Sequence, residues 1–264
     1  MLLIIHSQSQ TLSQALLLFS AAVVAGAING VAGGGSFIAF PALIFTGVPP
    51  IAANATNNAA LWVGTLASVG AYRKELSTQR SKLLLLGASS IIGGVLGSLA
   101  LLHTSQTLFT KLIPYLLLLA TLLFTFSQPL TNWVRGQRWK PADNSPASIW
   151  SILLLQLAIA TYGGFFGGGI GILMLATLSV IGIENIHEMN ALKVLLACCI
   201  NGIALIAFIF AGIIVWPLAV LMSIGALLGG YLSAHYARQL KPALVRRLVI
   251  VVGFSMTTYF FLSS

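Results

Sequence analysis

The apolar positions of this chain fall in long, nearly unbroken runs. They cover about residues 11–31, 51–72, 83–102, 109–126, 149–166, 191–212, 214–234 and 248–262. Each approaches the roughly 20 residues that a helix needs to cross a hydrocarbon layer about 30 Å thick. Two shorter runs, about 36–47 and 170–182, each follow a cluster of glycines. At about 1.5 Å per residue these reach only roughly 18–20 Å, which predicts half-helices or short tilted spans. The pattern predicts an all-α, polytopic helical membrane protein.

The runs also repeat. Gly33-Gly34-Gly35 aligns with Gly167-Gly168-Gly169, and Gly93 and Gly97 align with Gly225 and Gly229. In each half a glycine cluster leads into a short helix, a full helix, a GxxxG helix and a last helix. The predicted organisation is a first transmembrane repeat over 1–126, a cytoplasmic linker over 127–148 and a second repeat over 149–264. The GxxxG pairs read as close helix contacts.

Composition strengthens this picture. Hydrophobic residues make up 58% of the chain and charged ones only 6%, against about 25% charged in soluble domains. The net charge of +9 comes from 13 Lys and Arg against 4 acids. Such a balance can signal a nucleic-acid partner, but its placement points elsewhere. Arg73, Lys74, Arg80 and Lys82 share one polar stretch, Arg135, Arg138 and Lys140 a second, and Arg238, Lys241, Arg246 and Arg247 a third. Those stretches hold 11 of the 13 basic residues, and cytoplasmic loops concentrate Lys and Arg. The expected topology puts all three inside and both termini outside, in a cell membrane. The basic loop precedes the GxxxG helix in the first half and follows it in the second, as inverted-topology repeats require.

The chemistry is sparse. Cys198 and Cys199 are adjacent in an apolar run and read as packing residues; no Cys or His spacing suggests a metal. MLLIIHSQSQ has no basic n-region, so no cleaved signal peptide is expected. The glycine clusters should break helices inside the membrane, since glycine costs about 1 kcal/mol against alanine in a helix. Backbone freed at that depth is tolerated beside protein or a watery cavity, and the N–H groups that open a short helix favour an anion.

Polar residues gather near these breaks. Asn54-Ala55-Thr56-Asn57 and Asn190-Ala191-Leu192-Lys193 occupy matching places after the short helices. Asn54 and Asn190 can be read equally as helix caps, while Thr56, Asn57 and Lys193 lie deeper. Lys193 and Lys111 are the basic residues outside the three clusters. Lys111 reads as a snorkelling residue; an ionisable residue such as Lys193 within a span points to function. Asn201 shares the helix face of Lys193, and Asn29 precedes the first break.

The stretches NGVAGGGSFIAFPALIFTGVPPIAANATN (29–57) and GGFFGGGIGILMLATLSVIGIENIHEMNALK (163–193) resemble the sulfite exporter TauE/SafE family, also called the sulfonate uptake permease family. The resemblance extends over nearly the whole chain and implies transport of sulfite, sulfonates or related anions. Leu175 stands where Pro41 stands in the first block, a departure from strict symmetry.

The resulting expectation is a secondary transporter of a small sulfur-containing oxyanion, with an anion channel or facilitator on the same site as the alternative. The expected substrate-binding residues are Asn29, Gly33, Gly34, Gly35, Ser36, Thr56, Asn57, Gly167, Gly168, Gly169, Lys193 and Asn201, with the anion near the midplane between the two breaks. No cofactor is expected, and no enzyme activity, since no nucleophile–base pair lies at depth. A coupling ion, proton or sodium, and a homo-oligomer are compatible with the sequence.

Overall fold

The computed structural model describes residues 2–31, 34–71, 80–136, 146–180, 183, 186–236 and 242–263. Among them the regular elements are helices: α1 (Leu2–Val31), α2 (Ser36–Phe45), α3 (Pro50–Ala71), α4 (Arg80–Leu102), α5 (Gln106–Gly136), α6 (Pro146–Phe165), α7 (Ile170–Val180), α8 (Ile186–Phe210), α9 (Trp216–Tyr236) and α10 (Pro242–Ser263). Four described stretches are long and apolar enough to cross a bilayer: Leu12–Asn29, Leu84–Leu102, Gln106–Phe126 and Glu188–Phe210. Ser36–Phe45, Trp150–Phe165 and Trp216–Leu232 are shorter apolar helices. Large apolar side chains stand fully outward, Phe210 at 87% and Leu262 at 84% exposure, which suits lipid rather than water as the surrounding solvent. The protein is a polytopic helical membrane protein.

Proline opens three helices at Pro50, Pro146 and Pro242, where its missing N–H costs nothing and its φ is already helical. Several boundaries depart from the apolar runs. α5 continues through 127–136 to Gly136, into the expected linker. α8 begins at Ile186, ahead of its apolar run, with Glu188 in its first turn, where a carboxylate complements the helix dipole. Asn54 and Asn190 therefore lie a full turn inside α3 and α8 rather than at caps.

The helices form two compact units. One comprises 1–64 and 212–264, the other 65–211. The first holds α1, α2, most of α3, α9 and α10; the second holds the end of α3 and α4 through α8. Each unit therefore draws on both halves of the sequence.

In the first unit α1 runs along α9. A Cβ at Gly26 would overlap the carbonyl of Ala226, and one at Gly229 the carbonyl of Val23. In the second unit α4 runs along α6 and also packs against α8. There a Cβ at Gly97 would overlap the Thr161 carbonyl, and one at Gly93 would lie 2.7 Å from the Leu157 carbonyl. The two GxxxG motifs are thus close-packing surfaces. Within the α4–α6 seam, the buried Gln156 Nε2 donates to Ser90 Oγ at 2.8 Å.

The short helices are anchored differently. α2 has 10 residues and buries Phe37, Phe40 and Leu43; its last residue, Phe45, meets Tyr259 of α10 edge to face at 5.2 Å. α7 has 11 residues. Its Met174 and Leu178 join Leu192, Leu196 and Ile200 of α8 in one core cluster. At about 1.5 Å per residue, each short helix spans only roughly 15–17 Å.

Candidate functional sites at the two glycine breaks

In the first unit the break lies between Val31 and Ser36. Gly33 falls outside the described residues. Gly34 has φ +95°, a conformation that L side chains rarely adopt. Gly35 is αR and needs no such freedom; a Cβ there would overlap the Ala25 carbonyl of α1. Its N–H donates to Asn29 Oδ1 at 2.7 Å. Asn29 therefore closes the break with its side chain and occupies one of the N–H groups expected to hold an anion.

The α3 residues divide in role. Thr56 is fully buried, and its Oγ1 accepts the N–H of Val215 at 3.1 Å. That bond secures the entry to α9, whose first turn begins with Ala219 N–H donating to the Val215 carbonyl. Asn57 turns instead to the break: its Nδ2 donates to Ser36 Oγ, on the first residue of α2, at 3.2 Å.

In the second unit the glycine run splits into two kinds. Gly163 and Gly164 are still inside α6, and a Cβ at Gly164 would overlap the Gly94 carbonyl of α4. The break proper is Gly167-Gly168-Gly169, with φ +79° at Gly167 and +78° at Gly169. Tyr162 OH donates to the Gly168 carbonyl at 2.7 Å and pins this turn. Tyr162 was not among the expected site residues. A phenol inside an apolar run needs a polar partner, and a carbonyl freed by glycines six residues on was the signal.

Two residues of α8 approach this stretch. Asn201 Oδ1 lies 3.6 Å from where a Cβ on Gly167 would stand. The Lys193 stem lies across Gly171 in the first turn of α7, its Cδ 3.3 Å from the equivalent position there. Its Nζ donates to Asn190 Oδ1 at 3.2 Å. Asn201 thus approaches the break at Gly167 and Lys193 the first turn of α7 at Gly171, where the glycine leaves room for the lysine stem.

The two units use one register. Asn57 is eighth in α3 and Lys193 eighth in α8, counted from Pro50 and Ile186. Each reaches the first turn of the short helix before it, Asn57 at Ser36 and Lys193 at Gly171. A neutral amide stands at one break and a cation at the other.

Helices long enough to span a bilayer, short helices opening at glycine breaks, and polar side chains directed onto those openings define a membrane transporter. The chain belongs to the sulfite exporter TauE/SafE family, whose profile matches residues 18–260. It is 29% identical to a probable membrane transporter protein of Haemophilus influenzae over 91% of this chain and 92% of that one. It is 27% identical to the probable membrane transporter protein ORF9 of a Sinorhizobium species, over 90% of this chain and 89% of that one. With the probable membrane transporter protein YfcA of Escherichia coli K12 the identity is 26%, over 91% and 87%. No solved structure matches the chain.

Proposed function

We propose that the protein carries a small sulfur-containing oxyanion, such as sulfite or a sulfonate, across the cytoplasmic membrane as a secondary transporter. The observation that carries this reading is the Lys193 stem lying across the first turn of α7. The N-terminal end of a helix already bears about half a positive charge. That end and a lysine whose stem crosses it both suit an anion, and a cation within a span calls for a compensating charge. The bond Lys193 makes, to the Asn190 amide, brings no compensating charge.

In this reading Lys193 supplies the formal charge. Gly168 and Gly169 offer backbone donors at the opening of α7, and Asn201 borders the same turn. Within the first unit by itself, Ser36 and Asn57 stand at the opening of α2, while Asn29 and Thr56 hold the break and the start of α9 in place. The matched register of Asn57 and Lys193 supports two inverted-topology repeats of the kind found in secondary transporters. The family's name favours sulfite among the candidate anions.

Flux into proteoliposomes, with sulfite, sulfate, thiosulfate, taurine and sulfoacetate offered separately, tests the proposal. Saturable uptake or release of at least one of these anions is expected. Flux that rises linearly with concentration, without saturation, would favour a channel on the same site. No flux of any of them would remove the anion reading.

The basic clusters carry a topology prediction of their own. Thr78→Cys and Asn144→Cys, each in a background without Cys198 and Cys199, should resist an impermeant thiol reagent in intact cells and react after permeabilisation. Labelling of either in intact cells would overturn the placement of these loops inside.

A further inference from the structure

The Asn57 side chain is 96% buried, its exposure being 4%. Its Nδ2 is spent on Ser36 Oγ. Among the described residues its Oδ1 has no hydrogen-bond partner. A buried acceptor without a partner is destabilising, so such atoms are normally met by a ligand or an ordered water.

The neighbouring groups do not meet it. The Gly35 N–H is taken by Asn29. Phe37 N–H and Ile38 N–H donate to the Gly34 and Gly35 carbonyls, both at 3.0 Å. Thr56 Oγ1 accepts the Val215 N–H, and its hydroxyl makes no bond to Asn57 Oδ1. What remains at the opening of α2 is a pair of complementary functions. Ser36 Oγ accepts a hydrogen bond from Asn57 Nδ2 and keeps its own O–H to donate, while Asn57 Oδ1 is free to accept.

The pair does not depend on which way the amide is turned. With O and N exchanged, Ser36 O–H donates to Asn57 Oδ1. The free functions are then the Asn57 NH₂ donor and a Ser36 Oγ lone pair. Either arrangement offers one donor and one acceptor side by side. A hydroxyl group satisfies both at once, whereas a bare oxyanion oxygen accepts only and a methyl group does neither.

We infer that Asn57 and Ser36 form a hydroxyl-binding site at the opening of α2, which favours anions that carry an O–H over isosteres that lack one. The O–H can sit on carbon, as in a hydroxyalkanesulfonate, or on the oxyanion itself, as in hydrogen sulfite. The positive end of α2 suits the ligand's negative group. The inference rests on the anion-transport reading and adds a selectivity to it.

The test uses the full-length protein in detergent or nanodiscs, with thermal-shift and uptake measurements. The probes are 2-hydroxyethanesulfonate and propane-1-sulfonate, two monoanions of nearly equal size that differ by O–H against CH₃, with hydrogen sulfite as the third. The wild type should prefer 2-hydroxyethanesulfonate by about tenfold, the ratio that about 1.4 kcal/mol produces. Asn57→Leu and Ser36→Ala should each reduce that preference to near unity, weakening 2-hydroxyethanesulfonate far more than propane-1-sulfonate. A hydrogen-sulfite response lost in both variants, without a hydroxyethanesulfonate preference in the wild type, would assign the O–H to the oxyanion itself.

A control separates fold from function. The double variant Ser36→Ala/Asn57→Leu should melt at or above the wild-type temperature without ligand, because it removes both members of an incompletely satisfied pair. If it melts well below wild type, or if the wild type binds all three probes with a preference that the single variants leave unchanged, the hydroxyl site is wrong and the anion reading stands. If the wild type responds to none of the three, the hydroxyl site is wrong; the anion reading falls with it only if sulfate, thiosulfate, taurine and sulfoacetate also give no flux.

Discussion

Lys193→Ala should abolish oxyanion transport while leaving a protein that inserts and folds. A lysine within a span costs about 2.5–3.5 kcal/mol at the bilayer centre on insertion scales, so its presence demands compensation. The Lys193 stem lies across Gly171 in the first turn of α7. Its ammonium is held by Asn190 at 3.2 Å, a neutral acceptor. Removing it takes from the anion its charged partner. The apparent dissociation constant should rise at least tenfold, since about 1.4 kcal/mol suffices for that. The check is concentration-dependent flux in proteoliposomes, alongside a melting curve. Lys193→Arg should give a partial loss, because it keeps the charge but brings a bulkier planar head. Gly171→Ala should do the same by another route. Its Cβ would come within 3.3 Å of Lys193 Cδ, the middle of a flexible stem that can shift. Wild-type flux in the alanine variant at 193 would make the residue a snorkelling one.

Much of this arrangement is legible along the chain because membrane spans are written as runs. The order of long and short helices follows from apolar length. The breaks follow from glycine runs, with φ +95° at Gly34 and +79° at Gly167 confirming why glycine stands there. Asn57 and Lys193 stand out because polar side chains at depth are costly. Three features are not readable in that way. The pairing of α1 with α9 and of α4 with α6 joins surfaces far apart in sequence, and small residues show that a face packs closely without naming its partner. The ends of α5 and α8 run into polar stretches, since a helix continues as long as its backbone bonds are met, whatever the polarity of its side chains. Which partner each polar residue meets depends on single bonds. Thr56 and Asn57 are neighbours in sequence, yet one meets Val215 and the other Ser36.

Gly97→Ala and Gly229→Ala should each destabilise the protein severely. Helices α4 and α6 approach so closely that a Cβ at Gly97 would overlap the Thr161 carbonyl and stand 2.7 Å from Phe165 N. At Gly229 the overlap is with the Val23 carbonyl, with the Ala27 N–H nitrogen at 3.0 Å. The obstructing atoms are backbone, so no rotamer change can clear them. The helices must move apart along their whole seam. Overpacking a core by a single methyl costs about 1–3 kcal/mol, and more where relaxation is blocked; here the separation also withdraws the dispersion contacts that hold membrane helices together. In the α4–α6 seam it would stretch the buried Gln156–Ser90 bond of 2.8 Å as well. The expected result is a fall of several degrees or more in melting temperature, or loss of purifiable protein, for both variants. Gly64→Ala and Gly87→Ala supply the comparison, because a Cβ at either meets nothing within 4 Å; both should be neutral or slightly stabilising, as alanine is the better helix former by about 1 kcal/mol. A Gly97→Ala protein that melts like wild type would mean that the α4–α6 seam is looser than its glycines indicate.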